Sequence, residues 1–245
     1  MAKWFRSYFL MLKWVFLANR TWLTMNLVIQ MCIAVGFIFG ISYFYPAITP
    51  SIAKYLTTGA PTLILITVGL VMVPQFVAWA RADGTFDYIW SLPVPRMVHT
   101  TADATNMFGS MLPGIVLSVI FGSIYFDFSL NISPLVIPAV VMISLCGTFL
   151  GYTMAFAVSK PMTTQVLTQV IVFAVMMFSP VMYPASQLPG WLQAVHKVLP
   201  VQYMADLSRG TLTDLDVNLG QAFAVVGAWL IAGFVLTWFL VRRRQ

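Results

Sequence analysis

Few side chains in this sequence can do chemistry. All seven acidic residues are aspartates, and 245 residues hold two histidines and two cysteines. No Gly-Lys pair occurs, so the phosphate-cradling GxxxxGK[ST] loop is absent and the chain has no ATP site of that kind. There is no HExxH pair and no cluster of cysteine and histidine at metal-ligand spacing. Cys32 and Cys146 both fall inside apolar runs, where a cysteine is expected to be a small buried hydrophobe. The one dense polar stretch is "ARADGTFDYIWSLPVPR", residues 80–96, with Arg81, Asp83, Asp87 and Arg96. Its chemistry is that of recognition. An Asp-Gly-Thr turn can start a short helix, and Pro93 and Pro95 can end it. Phe86, Ile89, Trp90 and Leu92 can fill a partner's groove, with Phe86, Ile89 and Leu92 three apart as a ridge. Asp83 and Asp87, four apart, share a helix face and suit basic groups.

The elements around that stretch are membrane spans. Apolar residues make up 60% of the chain, charged residues 8%, and mean hydropathy is +0.88. A soluble domain carries about 25% charge, so the solvent for most of this chain is lipid. Six runs reach the roughly 17–25 residues needed to cross a bilayer: 23–45, 58–80, 102–126, 134–158, 162–183 and 219–241. Pro46 and Pro50 close the first. Basic residues interrupt everything before Leu23, so the first run reads as a retained span rather than a cleaved signal. The length suits one domain, 1–245, with an N-terminal segment 1–22, the polar segment 80–96 and an outer segment 184–210.

Net charge is +6. Its distribution speaks for topology and not for nucleic acid. With the N-terminus in the cytoplasm, Lys3, Arg6, Lys13, Arg20, Arg81, Arg96, Lys160, Arg242, Arg243 and Arg244 lie inside. Lys54, Lys197 and Arg209 lie outside. That bias predicts both termini on the cytoplasmic side. His99 and His196 then fall on opposite faces and cannot share a metal. In residues 2–20, Arg6, Lys13 and Arg20 recur every seven positions, opposite Trp4, Phe5, Tyr8, Phe9, Leu12 and Phe16. This predicts a helix in the inner interface. It either anchors the first span or frames a lateral opening for lipid-like cargo. Within the spans only Asp103 is charged, near the cytoplasmic edge, with Thr100, Thr101 or Asn106 as expected hydrogen-bond partners. A charge at a span's centre costs about 2.5–3.5 kcal/mol on insertion scales. With no ion relay and no ATP site, the energy for any transport must come from a partner.

Two stretches carry a resemblance. The segment 80–96 resembles the cytoplasmic loop of type-2 ATP-binding-cassette (ABC) exporter permeases: an acidic residue, Gly-Thr, a short apolar helix, then proline and a basic residue. Asp83, Gly84, Thr85, Phe86, Ile89, Leu92, Pro93 and Arg96 stand at those places, Asp83 where the family usually has Glu. Residues 178–210, "FSPVMYPASQLPGWLQAVHKVLPVQYMADLSRG", resemble the family's late signature through Phe178, Pro180, Tyr183, Pro184, Leu188, Pro189, Trp191, Leu192, Pro200, Tyr203 and Arg209. The resemblance implies an all-α integral membrane fold. It has six transmembrane helices, an N-terminal amphipathic interfacial helix, a coupling helix between spans 2 and 3, and re-entrant short helices between spans 5 and 6. Asp87 joins the coupling residues. Tyr183, Pro184, Leu188, Pro189, Trp191 and Leu192 would form an outer gate, with Leu188, Trp191, Leu192, Val195, Val198 and Leu199 apolar and Gln193, His196 and Lys197 facing water. The substrate path falls to Phe37, Met72, Phe76, Met176 and Phe178, Met-rich and aromatic walls that suit hydrophobic cargo.

The function implied is the transmembrane subunit of an ATP-driven exporter in a bacterial inner membrane. It would move a drug, antibiotic or lipid, would dimerise with a second permease protomer (a homodimer), and would recruit two copies of a cytoplasmic ABC ATPase. The subunit is then not itself an enzyme. It binds no cofactor directly, since ATP and Mg sit on the partner, and it contacts membrane lipid but no nucleic acid. A polysaccharide or lipid-linked glycan is the alternative cargo. A membrane sensor or scaffold that binds a cytoplasmic ATPase is the alternative of another class.

Overall fold

The computed structural model describes residues 2–45, 47–92, 94–158 and 160–243; Pro46, Pro93 and Arg244 lie outside the described residues, as do the side chains of Lys3, Phe86, Asp87, Trp90, Arg96 and Arg243. The described residues form helices and no strand. In chain order they are α1 (Ala2–Ala18), α2 (Arg20–Ser42), α3 (Pro50–Thr67), a π-helical turn (Val68–Met72), α4 (Val73–Ala82), α5 (Thr85–Ser91), α6 (Arg96–Tyr125), α7 (Val136–Ala157), α8 (Pro161–Phe178), a 3₁₀ turn (Ala185–Gln187), α9 (Gly190–His196), α10 (Pro200–Leu212) and α11 (Leu219–Arg243). Among the described residues, six stretches are long and apolar enough to cross a membrane: 20–42, 50–82, 98–125, 136–157, 161–178 and 219–242.

The second span starts at residue 50 and not near 58. Thr49 caps it, its hydroxyl accepting from the Ile52 amide at 3.3 Å, and Pro50 takes the first helical position, where its missing N–H costs nothing. Lys54 is tolerated there because it is paired with Asp214. The span runs through Pro61, the π-turn and Pro74. A proline ring clashes with the carbonyl four residues earlier, here Leu70, which lies in the π-turn; the wider turn makes room for it. Gly69 in this turn meets Gly147 and Gly151 of α7 backbone to backbone. That close crossing is the small-residue contact expected between helices in lipid.

The core lies between α3, α6 and α7, with α10 inserted beside them and α11 against α7. Leu56, Ile64, Met111, Ile143, Phe156 and Met204 fill it. Buried hydroxyls bond within their own helices: Thr58 to the Lys54 carbonyl and Thr62 to the Thr58 carbonyl, each at 2.8 Å. Between helices, Thr153 meets Thr237 at 3.1 Å and Gln30 donates to the Ser110 carbonyl at 3.0 Å. Helices α2, α8 and α11 are peripheral and turn apolar side chains outward. On α8 these are Met162, Val166, Val170, Phe173 and Met177, while Thr164 and Thr168 point inward. Cys146 is buried as expected, but Cys32 is exposed on α2, because in lipid the outward face of a span is also apolar.

Candidate functional site

The polar segment 80–96 folds as the turn-helix-turn its residues dictate. Gly84 takes φ +79°, a left-handed conformation that a side chain resists. The Asp83 carboxylate accepts from the Thr85 amide at 2.9 Å, which satisfies a free N–H at the start of α5 and holds the Asp83 carboxyl below its usual range. Helix α5 ends at Leu92, whose backbone is extended, and Pro95 precedes α6. Arg81 donates to the carbonyls of Ala155 and Val158 at 2.9 and 3.2 Å, which fastens the end of span 2 to the end of span 4.

One expectation is corrected here. Ile89 and Leu92 do not form an outward ridge. Ile89 is 6% exposed and faces a small cavity of about 180 Å³ with Trp14, Phe76, His99, Asp103 and Tyr152. Leu92 and Val94 pack on Met11, Val15, Val98 and Ala102. Leu92 is thus an anchor to α1 and α6 and Ile89 is turned to the cavity beside them, because apolar side chains on a short helix are drawn to the nearest apolar surface, which is the protein's own. The face left open carries Asp83, Thr85, Tyr88 and Ser91. Pro93 and the side chains of Phe86, Asp87 and Arg96 lie outside the described residues. In the same cavity, Tyr152 of α7 donates to Asp103 at 2.5 Å, a cross-span bond beyond the neighbours in its own helix that the sequence suggests.

The outer segment reaches back to the end of span 5. A helix end leaves its last carbonyls without partners, and three side chains answer here with four bonds. Tyr183 donates to the Met177 carbonyl at 2.9 Å. His196 meets the Phe178 carbonyl at 2.8 Å through Nε2, which must carry the proton because a carbonyl only accepts. Arg209 donates to the carbonyls of Pro180, at 2.7 Å, and Val181. Arg209 also pairs with Asp206 at 2.9 Å and lies 4.3 Å from the centre of the Tyr55 ring. It is 2% exposed. Burial pushes the Arg209 guanidinium down and the Asp206 carboxyl up, and each charge opposes the other's shift. Across the same face Lys54 pairs with Asp214, whose carboxyl it lowers.

His196 was expected to face water and is buried instead, since its role is to cap α8. Of the residues assigned to an outer gate, Leu192 is buried, Tyr183, Pro184 and Leu188 are half-buried, and Pro189 and Trp191 are exposed. With Val195 and Val198, Trp191 leaves an apolar face open to the surroundings, and Trp229 reaches the Val198 carbonyl at 2.9 Å. Arg209 carries more bonds than any of them, yet the sequence marked it only as a motif residue. The available signal was Asp206 three residues before Arg209, a spacing that puts the two charges on one helix face.

Of the five residues assigned to a substrate path, Phe37, Met72 and Met176 are half-buried against the main core. Phe76 faces the Asp103 cavity, edge-on to Trp22 at 5.3 Å. Phe178 is exposed at the end of α8, on a separate crevice with Trp191 and Leu192. Phe76 and Phe178 thus line different cavities.

A comparison with curated proteins gave no match. The sequence profile of ABC-2 type transporters matches residues 7–213, which spans α1 through α10 and includes both the Asp83–Gly84–Thr85 turn and Arg209. With six candidate spans, a short helix tied in at the end of span 2 and a capped break after span 5, the chain belongs to the ABC-2 type transporter family and is a transmembrane permease of that kind.

Proposed function

We propose that the chain is the permease subunit of an ATP-driven exporter, with α5 as the docking point for a cytoplasmic ABC ATPase that carries the ATP and Mg. The observation that carries this reading is the two-sided build of α5. On its inner side Ile89 is buried and Leu92, at its end, packs on α1 and α6, while Asp83, Thr85, Tyr88 and Ser91 are exposed. A push on the open side reaches the third span directly. The α5 end of the bundle also holds most of the basic residues, which supports a cytoplasmic location for it, in a bacterial inner membrane, with α1 in the inner interface. The outward apolar stripe of α8 and the open face of Trp191, Val195 and Val198 suit a second copy of the permease, and the pair would take two ATPases. The outer segment, re-entrant in this reading, would gate a path between the protomers. Apolar walls favour a drug, antibiotic or lipid as cargo over a polysaccharide or lipid-linked glycan.

Co-purification tests the docking. Phe86→Ala combined with Tyr88→Ala is expected to weaken ATPase capture by about 2 kcal/mol or more, the size of a truncated interface anchor, while the permease still inserts. Asp83→Asn is expected to act more mildly and more strongly at low salt, as an orienting charge does. Unchanged capture and unchanged transport in the double variant would leave α5 an interfacial helix and would favour the scaffold alternative only if the ATPase still binds elsewhere.

The topology has its own test. Single cysteines at Ser129 and Ser186, both exposed, are expected to react with an impermeant thiol reagent on intact cells, and one at Ser91 is not. Labelling at Ser91 from outside reverses the orientation.

A further inference from the structure

A groove of about 860 Å³ runs along one flank of α1, closed by α2 and α6. Its size is in the roughly 300–1,000 Å³ range of small-molecule sites. Phe9, Phe16 and Leu27 make its walls apolar, and Thr24, Asn106 and Ser110 add polar groups. Lys13 of α1 and Arg20, the first residue of α2, both line it, so the helix of residues 2–20 that the sequence predicts is broken at Asn19 yet keeps both cations at one groove. No acidic residue lines the groove, and neither cation has an ion-pair partner among the described residues. A neighbouring groove that shares Phe9 and Thr105 with it differs. This second groove, between α1, α6, α7 and α11, is lined by Trp4, Phe5, Phe149 and Phe234 with no charge at all. Lys13 and Arg20 thus distinguish the first groove from the second.

We infer that this groove binds an anionic phospholipid. Its phosphate would sit between the Lys13 ammonium and the Arg20 guanidinium, and an acyl chain would lie along Phe9, Phe16 and Leu27. The chemistry is specific on both counts. Two unmatched cations over an apolar wall leave a neutral occupant's headgroup unpaired and repel a cationic one, while a free anion leaves the walls unfilled. A phosphate monoester or diester of net negative charge on two acyl chains satisfies both, whereas the choline of phosphatidylcholine offsets its own phosphate. Met11 and Val15, on another side of the same helix, hold Leu92 at the end of α5. A lipid seated on α1 would thus steady the element that α5 leans on. The inference needs the α1 end of the bundle to lie at a leaflet surface, and it does not need the exporter reading.

The experiment uses the purified full chain in a neutral detergent, without ATPase or cargo, so its failure and that of the docking test are separable. Native mass spectrometry counts retained lipid after incubation with phosphatidylglycerol, phosphatidylcholine or diacylglycerol. The wild type is expected to keep phosphatidylglycerol preferentially. Lys13→Gln with Arg20→Gln is expected to lower that retention about 25-fold, about fivefold for each basic side chain, and to leave phosphatidylcholine unchanged. Lys13→Arg with Arg20→Lys, which keeps both charges, is expected to restore retention, and so separates charge loss from misfolding. Equal retention of the three lipids by the wild type, or full phosphatidylglycerol retention by the Gln pair, would overturn the assignment. Release of the lipid by excess inorganic phosphate would also overturn it, since the acyl groove would then contribute nothing.

Discussion

Replacing Arg209 with alanine is expected to cost the purified permease about 3 kcal/mol or more of stability, the range found when one partner of a buried charge pair is removed. The readout is the thermal midpoint of the protein in detergent. The loss has three parts. The Asp206 carboxylate, already disfavoured by burial, loses the cation that offsets it. The carbonyls of Pro180 and Val181 lose their donor at a helix end. The Tyr55 ring loses the group stacked on it. Arg209→Lys is expected to recover only part, because an ammonium is a point charge and cannot fork to two carbonyls and a carboxylate at once. Asp206→Asn, which leaves the carbonyl bonds in place, is expected to be milder than Arg209→Ala. A midpoint unchanged in Arg209→Ala would mean that the break after α8 stands without its cap.

The second large effect is expected from one methyl group. A Cβ at Gly151 would lie 2.1 Å from the Gly69 carbonyl oxygen and 3.1 Å from the Pro74 ring. The obstacle is backbone and cannot swing aside, so Gly151→Ala must spread α7 from the second span. Overpacking of this kind costs about 1–3 kcal/mol, and here it disturbs the central contact of the bundle. Gly36→Ala is the control: nothing lies within 4 Å of a Cβ there, and alanine is the better helix former. The fraction recovered as a monodisperse protein after detergent extraction is expected to fall for Gly151→Ala and to hold for Gly36→Ala. Equal recovery of the two would show that the glycine crossing is not tight in the membrane.

The six spans were legible in the sequence because lipid demands length and apolarity, and both can be counted along a chain. The turn before α5 was legible because Asp83, Gly84 and Thr85 each have a local backbone task. The facing of α5 was not. Phe86, Ile89, Trp90 and Leu92 put apolar groups on most sides of a seven-residue helix, so no pattern says which side is inward. Arg209 was found as a motif residue but not as a cap, since its partners are backbone carbonyls and these have no sequence identity. His196 was misplaced for the same reason. The Tyr152 bond to Asp103 was not legible, because Tyr152, 49 residues away, becomes its neighbour only after folding. The start of span 2 came out too late because Lys54 and its surrounding polar residues diluted the apolar run, although Asp214 pairs with the charge.

The π-turn at Val68–Met72 sets how the two halves of the second span face their neighbours. An α-helix advances about 100° per residue, so an extra residue accommodated within one widened turn shifts the phase of everything after it by that angle. Above the turn, Gly59 approaches Val181 and Met182, beside the carbonyls that Arg209 holds. Below it, Gln75 reaches Thr168 of α8 and Arg81 reaches the end of α7. A straight 33-residue helix would aim one of these sets correctly and rotate the other away from its partners. The widened turn lets a single span act as two dials set independently on one axle, one matched to the capped end of α8 and the other to the base that leads into α5.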